Sequence, residues 1–478
     1  MSELNALFLP VGDYCRKEVT TCAPEDQLVA AVERMRQLNI SSLVVCEQGR
    51  PLGIMTDRDL RNKVVAPGHN PLKLTVADIM HSPLVTIVAD EFLFEALHRM
   101  SRHRIHRLVV LDHSGSLAGI ITDSDILRIQ TLSPQQLMRD IEEAASITEL
   151  QILHRRVQDL VAHLITTGIR IKDMVRLIAH LNDRILIRLV DLLLVDRFAG
   201  LHQRCAFLVL GSEGRGEQTL TTDQDNALVV ADDLTAQEQQ LVELFSEELI
   251  KGVIAIGIPP CPGGIMANNP EWRRNLSGWK QVLDDWFGSP TPEHIMRVSM
   301  IADLRALAGN RAFEQELREH IRGQLLQNDT YLGHMTANLA RFPVPLGWFG
   351  RIKTGEGPQK GRIDLKKAGI FAITEGVRIL CLSVGISAHG TQERIGLLAG
   401  QNLLSPQEAT NLSSAFDALV YFRLRSQLEA RAAGHTPDNS LILKQLNRME
   451  VGRLHTALEE VRSFQQMLQR RFRLGQMI

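Results

Sequence analysis

The first 130 residues of this chain contain the same unit twice, and that constrains its fold more than any other feature. Asn39-Ile40-Ser41-Ser42-Leu43-Val44-Val45 returns as Arg104-Ile105-His106-Arg107-Leu108-Val109-Val110, and Gly53-Ile54-Met55-Thr56-Asp57-Arg58-Asp59 returns as Gly119-Ile120-Ile121-Thr122-Asp123-Ser124-Asp125. The first match is offset by 65 residues and the second by 66, so one residue is inserted between them. The insertion falls where Glu47-Gln48-Gly49-Arg50 and Asp112-His113-Ser114-Gly115 read as hairpin turns. Each unit is therefore helix, strand, hairpin, strand, helix.

After each second strand, Thr56 and Asp59, or Thr122 and Asp125, fall at the start of the next helix. Two readings are open. Thr and Asp dominate N-cap positions and satisfy free backbone N–H groups there. A carboxylate in that place can also accept both hydroxyls of a ribose. The basic cluster Arg102-His103-Arg104-Ile105-His106-Arg107 suits either a solvated face or phosphates in a neighbouring cleft.

The second informative stretch is Gly211-Ser212-Glu213-Gly214-Arg215-Gly216-Glu217, followed by Thr222-Asp223-Gln224-Asp225. Cys205 to Leu210 is an apolar run of strand length, so Gly211 and Ser212 fall where a strand turns into a helix. Backbone N–H groups at such a turn, with the Ser212 hydroxyl, can hold a phosphate. If Asp223 and Asp225 enter the following strand (Ala227 to Ala231), both point to one face, roughly 7 Å apart. A divalent cation with oxygen ligands, Mg2+ foremost, relieves their repulsion and is typically completed by substrate phosphates. Taken alone, T-L-T-T-D-Q-D-N also suits a polar turn bonded to its own backbone. The segment is neither a P-loop nor a dinucleotide fingerprint, because it lacks the Lys and the glycine order that those require.

G-S-E-G-R-G-E-x5-D-Q-D resembles the signature of the DNA polymerase β nucleotidyltransferase superfamily, especially the branch near the uridylyltransferase that modifies the PII nitrogen-signalling protein. The whole chain is similar to bacterial nucleotidyltransferases that carry an N-terminal CBS domain pair and a helical C-terminal domain. The resemblance implies a multidomain α+β protein: a CBS pair (1–130), a helical connector (131–200), a polymerase-β-like core with a mixed sheet (201–330) and a C-terminal helical bundle (331–478). It implies AMP or ATP in the CBS clefts at Thr56, Asp59, Thr122 and Asp125, and a homodimer. It further implies that Gly211, Ser212 and Arg215 bind the triphosphate of a nucleoside triphosphate while Asp223 and Asp225 hold Mg2+. A third carboxylate comes from a later strand in such enzymes. Arg297 to Asp303 reads as that strand and Asp303 as that residue, with a local pair to Arg305 or a helix cap as its competing roles. Arg215 and Glu217, two apart, face one another poorly on a helix and are not expected to pair. The expected reaction moves a nucleoside monophosphate onto a hydroxyl acceptor, a protein by this resemblance, with a small metabolite as the competing acceptor. The alternative from another class is a non-catalytic adenine-nucleotide sensor. No His-Asp dipeptide occurs, so the phosphohydrolase chemistry of the PII-modifying enzyme is not implied.

Apolar stripes at Leu153, Val157, Leu160 and Leu164, then Met174, Ile178, Leu181 and Ile185, predict two helices before the core, and Leu454, Leu458, Val461 and Leu468 a helix near the end. Lys360 to Lys367 is a basic run that suits a solvated face or closure over a triphosphate. The balance of 53 Lys+Arg against 55 Asp+Glu gives no general nucleic-acid or membrane surface. Six scattered cysteines without a C-x-x-C pair indicate neither a disulfide framework nor a zinc site. The N-terminus lacks the basic start and apolar core of a signal peptide, and a cytoplasmic protein is expected.

Overall fold

A computed structural model describes residues 9–131, 134–165, 169–195, 198–220, 224–326, 328–347, 350–355, 357 and 360–472. The chain divides into two compact units, Met1–Gln136 and Leu137–Ile478.

In the first unit the repeat becomes a repeated structure. β1 (Thr21–Cys22), α1 (Leu28–Gln37), β2 (Ser42–Glu47), β3 (Arg50–Thr56) and the short α2 (Asp57–Leu60) form one copy. After α3 (Val76–Ile79), β4 (Thr86–Val88), α4 (Leu93–His103), β5 (Arg107–Leu111), β6 (Leu117–Thr122) and α5 (Asp123–Thr131) form the other. Each three-stranded sheet pairs its first two strands in parallel and its last two antiparallel, and Thr21 opposite Val44 is repeated as Thr86 opposite Val109. Buried side chains recur with the sequence offset: Leu28, Ala31, Met35, Leu43 and Met55 fill one core; Leu93, Ala96, Met100, Leu108 and Ile121 fill the other. Gln48 and Gly49 both take positive φ (49° and 82°), the conformation of a tight hairpin turn between twisted strands.

The second unit is built on a mixed four-stranded sheet of order β10-β7-β8-β9: β7 (Cys205–Val209), β8 (Asn226–Val230), β9 (Arg273–Asn275) and β10 (Arg305–Gly309). β7 is antiparallel to both β10 and β8, and β9 runs parallel to β8. Every residue of β7 and β8 is buried, which explains why both read as unbroken apolar runs. The helices expected as a connector, α7 (Ile147–Leu164) and α8 (Ile171–Leu194), pack on α10 (Ala236–Ile256), so they are part of this unit's body. α6 (Pro134–Glu143) precedes them, and α9 (Gly211–Gly214) is the short turn after β7.

Arg297 to Ile301 is not the strand expected from sequence. It is the end of helix α12 (Pro292–Ile301), which follows α11 (Leu276–Gly288). Thr291 caps the helix by accepting from the His294 amide, Pro292 takes the first turn, and Ile295, Val298 and Ile301 are buried at helical spacing. The strand starts later, at Arg305. Beyond β10, helices α13 (Ala312–Leu325) and α14 (Asp329–Leu339) lead to β11 (Arg362–Asp364). The C-terminal part then comprises α15 (Phe371–Ser383), α16 (Thr391–Gly400), α17 (Pro406–Ala432), β12 (Ser440–Ile442) and α18 (Arg448–Arg471). It is helical, with α15 and α17 each packed on α18, and β11 and β12 forming a small antiparallel pair. No described helix is long and apolar enough to cross a membrane.

Candidate active site

The pairing of β7 with β8 places the glycine-serine turn beside Asp225. Val209 lies opposite Asn226, and the next amide, that of Leu210, donates to the Asp225 carbonyl at 2.8 Å. The chain then turns sharply at Gly211 (φ +52°), where a Cβ would lie 3.0 Å from Asp225 Oδ2. Glycine therefore leaves the carboxylate room that a side chain would take. Gly214 is fixed more tightly still: a Cβ there would lie 2.0 Å from the Asp303 carbonyl oxygen, so the turn lies directly on that segment. Arg305 secures the other side by donating to the Glu213 carbonyl at 2.9 Å and pairing with Asp183 at 2.9 Å.

Gly211, Ser212, Arg215 and Asp225 all line one cavity of about 210 Å3, whose opposite wall comes from the C-terminal helices. Lys366, Arg378 and Arg423 line it there with Phe371, while Met300 and Asn338 come from α12 and α14. Four cationic side chains, Arg215 included, thus share the cavity with three carboxylates, Asp225, Glu217 and Glu375; Arg215 is paired with Glu217 and Arg378 with Glu375. Asp223 lies outside the described residues. Cys261, beside Asp225, has its thiol pushed up to about 11 by burial first and then by that carboxylate. Glu213, 2% exposed, has its carboxyl held well above the ordinary range by burial, with Asp225 and Asp183 adding to it.

The residues fit a magnesium ion: Asp225 is a hard oxygen donor facing the cavity, and the glycine at position 211 keeps it accessible. Among the described residues no three His, Cys, Asp or Glu side chains gather to hold a metal.

Asp303 is placed differently from the sequence expectation of a third metal carboxylate. It is fully buried, and both its oxygens are taken by guanidinium groups: Arg215 at 2.7 Å, Arg394 at 2.8 Å, and Arg378. Burial alone would raise its carboxyl, but Arg378, Arg394 and Arg215 hold it far below the usual carboxylate range. The reason is positional: Asp303 follows a helix and turns inward, toward α15 and α16, while Asp225 faces the cavity. Nor does Asp303 pair with Arg305, which binds Asp183 instead.

Arg215 and Glu217, expected not to pair, are joined at 2.7 Å. The helix stops at Gly214, so helical spacing does not govern them. Glu217 in turn accepts from the Thr391 amide at the start of α16. Arg378 also pairs with Glu375, which accepts from Ser299 Oγ at 2.6 Å. The network thereby ties the glycine-serine turn to the C-terminal helices. Sequence reasoning missed Glu375, Arg378 and Arg394; the available signal was a Glu and an Arg three apart inside the otherwise apolar F-A-I-T-E-G-V-R-I-L-C.

In the first unit, Thr56 and Asp59 form a capping box: the Asp59 amide donates to Thr56 Oγ1 and the Thr56 amide to Asp59 Oδ2. They also line a cavity of about 430 Å3. Thr122 and Asp125 repeat the bonds, with the Thr122 amide donating to Asp125 at 3.1 Å. Capping and cleft-lining are thus roles of the same residues in the first copy.

The architecture defines a paired CBS-type module followed by an α+β core with a helical C-terminal part. Comparison with known proteins agrees: residues 11–66 and 76–131 match the CBS domain, 155–293 match the family described as "Putative nucleotidyltransferase DUF294", and 329–472 match "Putative nucleotidyltransferase substrate binding domain". An uncharacterized protein of Methanopyrus kandleri is 39% identical over 121 residues, 25% of this chain and 62% of that protein. One from Methanocaldococcus jannaschii is 29% identical, over 39% of its length, so the chain spans only part of these relatives. A CBS domain-containing protein of Bacillus subtilis is 31% identical over 24% of this chain and 81% of its own length. A crystal structure of a conserved protein from Pyrococcus horikoshii aligns with 25% of this chain and 91% of that one, at 30% identity and TM-score 0.24. The chain belongs to the CBS domain-containing proteins, and beyond that module it carries one domain matching "Putative nucleotidyltransferase DUF294" and one matching "Putative nucleotidyltransferase substrate binding domain".

Proposed function

We propose that the second unit is an Mg2+-dependent nucleotidyltransferase of the DNA polymerase β superfamily, in the branch near the PII uridylyltransferase. It moves a nucleoside monophosphate from a nucleoside triphosphate to a hydroxyl acceptor on a protein. The CBS pair binds an adenine nucleotide and regulates it, in a homodimer. The observation that carries the transferase reading is the convergence of Gly211, Ser212, Arg215 and Asp225 with Lys366, Arg378 and Arg423 on one cavity.

In this reading the turn at Gly211 and Ser212 holds the β and γ phosphates, and Lys366 and Arg423 neutralise them from the facing wall. Asp225, with Asp223, would hold the magnesium ion. When bound, that ion offsets charge on the attacking and leaving oxygens of an in-line displacement. The acceptor oxygen bonds to the α phosphorus, the bond from that phosphorus to the bridging oxygen breaks, pyrophosphate leaves, and the hydroxyl proton passes to solvent. Asp303 is not assigned as the base, because it is buried and both its oxygens accept from guanidinium groups. It anchors Arg215 and Arg378 in the cavity wall. The engagement of Asp303 is also the observation that favours the second reading, a non-catalytic adenine-nucleotide sensor on a transferase fold.

The test incubates the full chain, Mg2+ and cell lysate with each of the four α-labelled ribonucleoside triphosphates, with Asp225→Asn as control. Label on a protein, absent with the control, is expected. Label on a soluble metabolite would redirect the acceptor assignment. No transfer with any triphosphate, while adenine nucleotide still binds, leaves the sensor.

A further inference from the structure

The internal repeat allows the two clefts of the first unit to be compared position by position. The backbone bridge between Ile54 and His81 is repeated as Ile120 with Arg16, so His81 and Arg16 are counterparts, 65 residues apart. By the same offsets Arg58 corresponds to Ser124, Arg104 to Asn39 and Arg107 to Ser42. The cleft that holds Thr56 and Asp59 is therefore lined by three arginines where its twin has a serine, an asparagine and another serine. Among the described residues none of the three is ion-paired to a carboxylate: Arg58 donates to the Arg104 carbonyl at 3.5 Å and Arg107 to Ser41 Oγ at 3.0 Å.

The carboxylates differ as well. Both use one oxygen for the threonine of the capping box, at 2.6 Å in each case. The other oxygen of Asp59 has only the Lys63 ammonium, at 3.7 Å. The other oxygen of Asp125 accepts from Arg16 Nη2 at 3.1 Å. A ribose in the second cleft would have to displace that guanidinium.

We propose that the CBS pair is a one-site sensor of a nucleoside polyphosphate. Asp59 takes the ribose, Arg58, Arg104 and Arg107 take the phosphate chain, and Arg16 closes the twin cleft by occupying Asp125. This rests on the adenine-nucleotide reading of the pair given above and sharpens it to a charge class and a stoichiometry. Three uncompensated guanidiniums favour a triphosphate over a monophosphate because each bidentate phosphate contact is charge-assisted.

Equilibrium dialysis of the full chain with labelled ATP and AMP tests this. Binding at the cleft is read as the part lost in Asp59→Ala, which separates it from binding at the transfer cavity. That part is expected to be a single ATP per chain, about tenfold tighter than AMP. Arg58→Ala/Arg104→Ala, both exposed positions, is expected to weaken ATP about tenfold or more and AMP less than about threefold. Asp125→Ala is expected to leave the ATP count unchanged. Equal affinity for ATP and AMP, or equal losses in Asp59→Ala and Asp125→Ala, overturns the one-site polyphosphate assignment and leaves nucleotide sensing standing. Binding of neither nucleotide that depends on Asp59 or Asp125 overturns the sensing reading along with it.

Discussion

Asp225 and Asp303 both precede strands of the same sheet, yet the protein uses them in opposite ways. Asp225 sits at a cavity beside a thiol and a buried glutamic acid, with nothing but the turn's glycine separating it from the proposed phosphate cradle. Asp303 is sealed in protein, its charge matched by three guanidiniums. The difference shows how one scaffold sets two acidic residues to different work. One carboxylate lines the cavity, and the other holds arginines of its wall in place.

Removing Asp303 is expected to have the largest effect. Asp303→Ala leaves Arg215, Arg378 and Arg394 buried without their shared anion, and breaking a buried pair in this way costs about 3–5 kcal/mol. All four tryptophans (272, 279, 286 and 348) lie in the second unit, so urea denaturation followed by their fluorescence reports on it alone. Asp303→Asn preserves shape without charge and is expected to destabilise as well. Wild-type stability in Asp303→Asn would mean that the arginine cluster does not hold the turn. Asp225→Asn is the mirror image. Transfer is expected to fall about 10²–10³-fold, roughly 3–4 kcal/mol in the barrier. Stability should hold or rise, because the variant removes a charge that opposes ionisation of Glu213. A drop in stability like that of Asp303→Ala would erase the distinction between the two aspartates.

Only one side of this comparison was legible in the sequence. The repeat could be read because its two copies keep the same residues at a fixed offset. β7 and β8 could be read because strands buried on both faces give continuous apolar runs. The Gly211 turn and Asp225 follow directly from those strands. The Asp303 cluster was not legible, because its partners lie 75, 88 and 91 residues away and no local spacing announces them. The run before Asp303 was misread as a strand because R-V-S-M-I is short and apolar in either conformation. Thr291-Pro292, a cap followed by proline, was the overlooked marker of a helix.

Asp303 and the buried His154 also predict different responses to acid. Asp303, its carboxyl depressed, contributes stability above the unfolded carboxylate range and loses it only as pH falls below that range. His154, buried in α7, has its pKa lowered to about 4 by burial. Its unfolded form binds a proton below about 6.5 while the folded form does not, so its contribution is lost as pH falls from about 6.5 to about 4. By linkage that loss is on the order of 3 kcal/mol. Tryptophan-monitored unfolding should therefore weaken in mild acid, before Asp303 is affected, and His154→Gln should flatten this limb. Superimposable pH profiles for wild type and His154→Gln would place the mild-acid weakness elsewhere.

Lys366 gives the smallest effect and the finest test of the open cavity. It comes from the basic run before α15 and lines the cavity opposite Ser212 and Asp225 without belonging to the Asp303 cluster. If it meets the triphosphate equally in the ground and transition states, Lys366→Ala should raise the KM for the triphosphate about tenfold with kcat nearly unchanged, about 1.4 kcal/mol of uniform binding. Lys366→Arg, which keeps the charge, should recover most of the loss. A fall in kcat with KM unchanged would instead place Lys366 on charge that develops during transfer, moving it from the cradle to the reacting phosphate. An unchanged KM and kcat would return the basic run to the solvated face that its composition also allows, and the facing wall of the cavity would then rest on Arg423 and Arg378 alone.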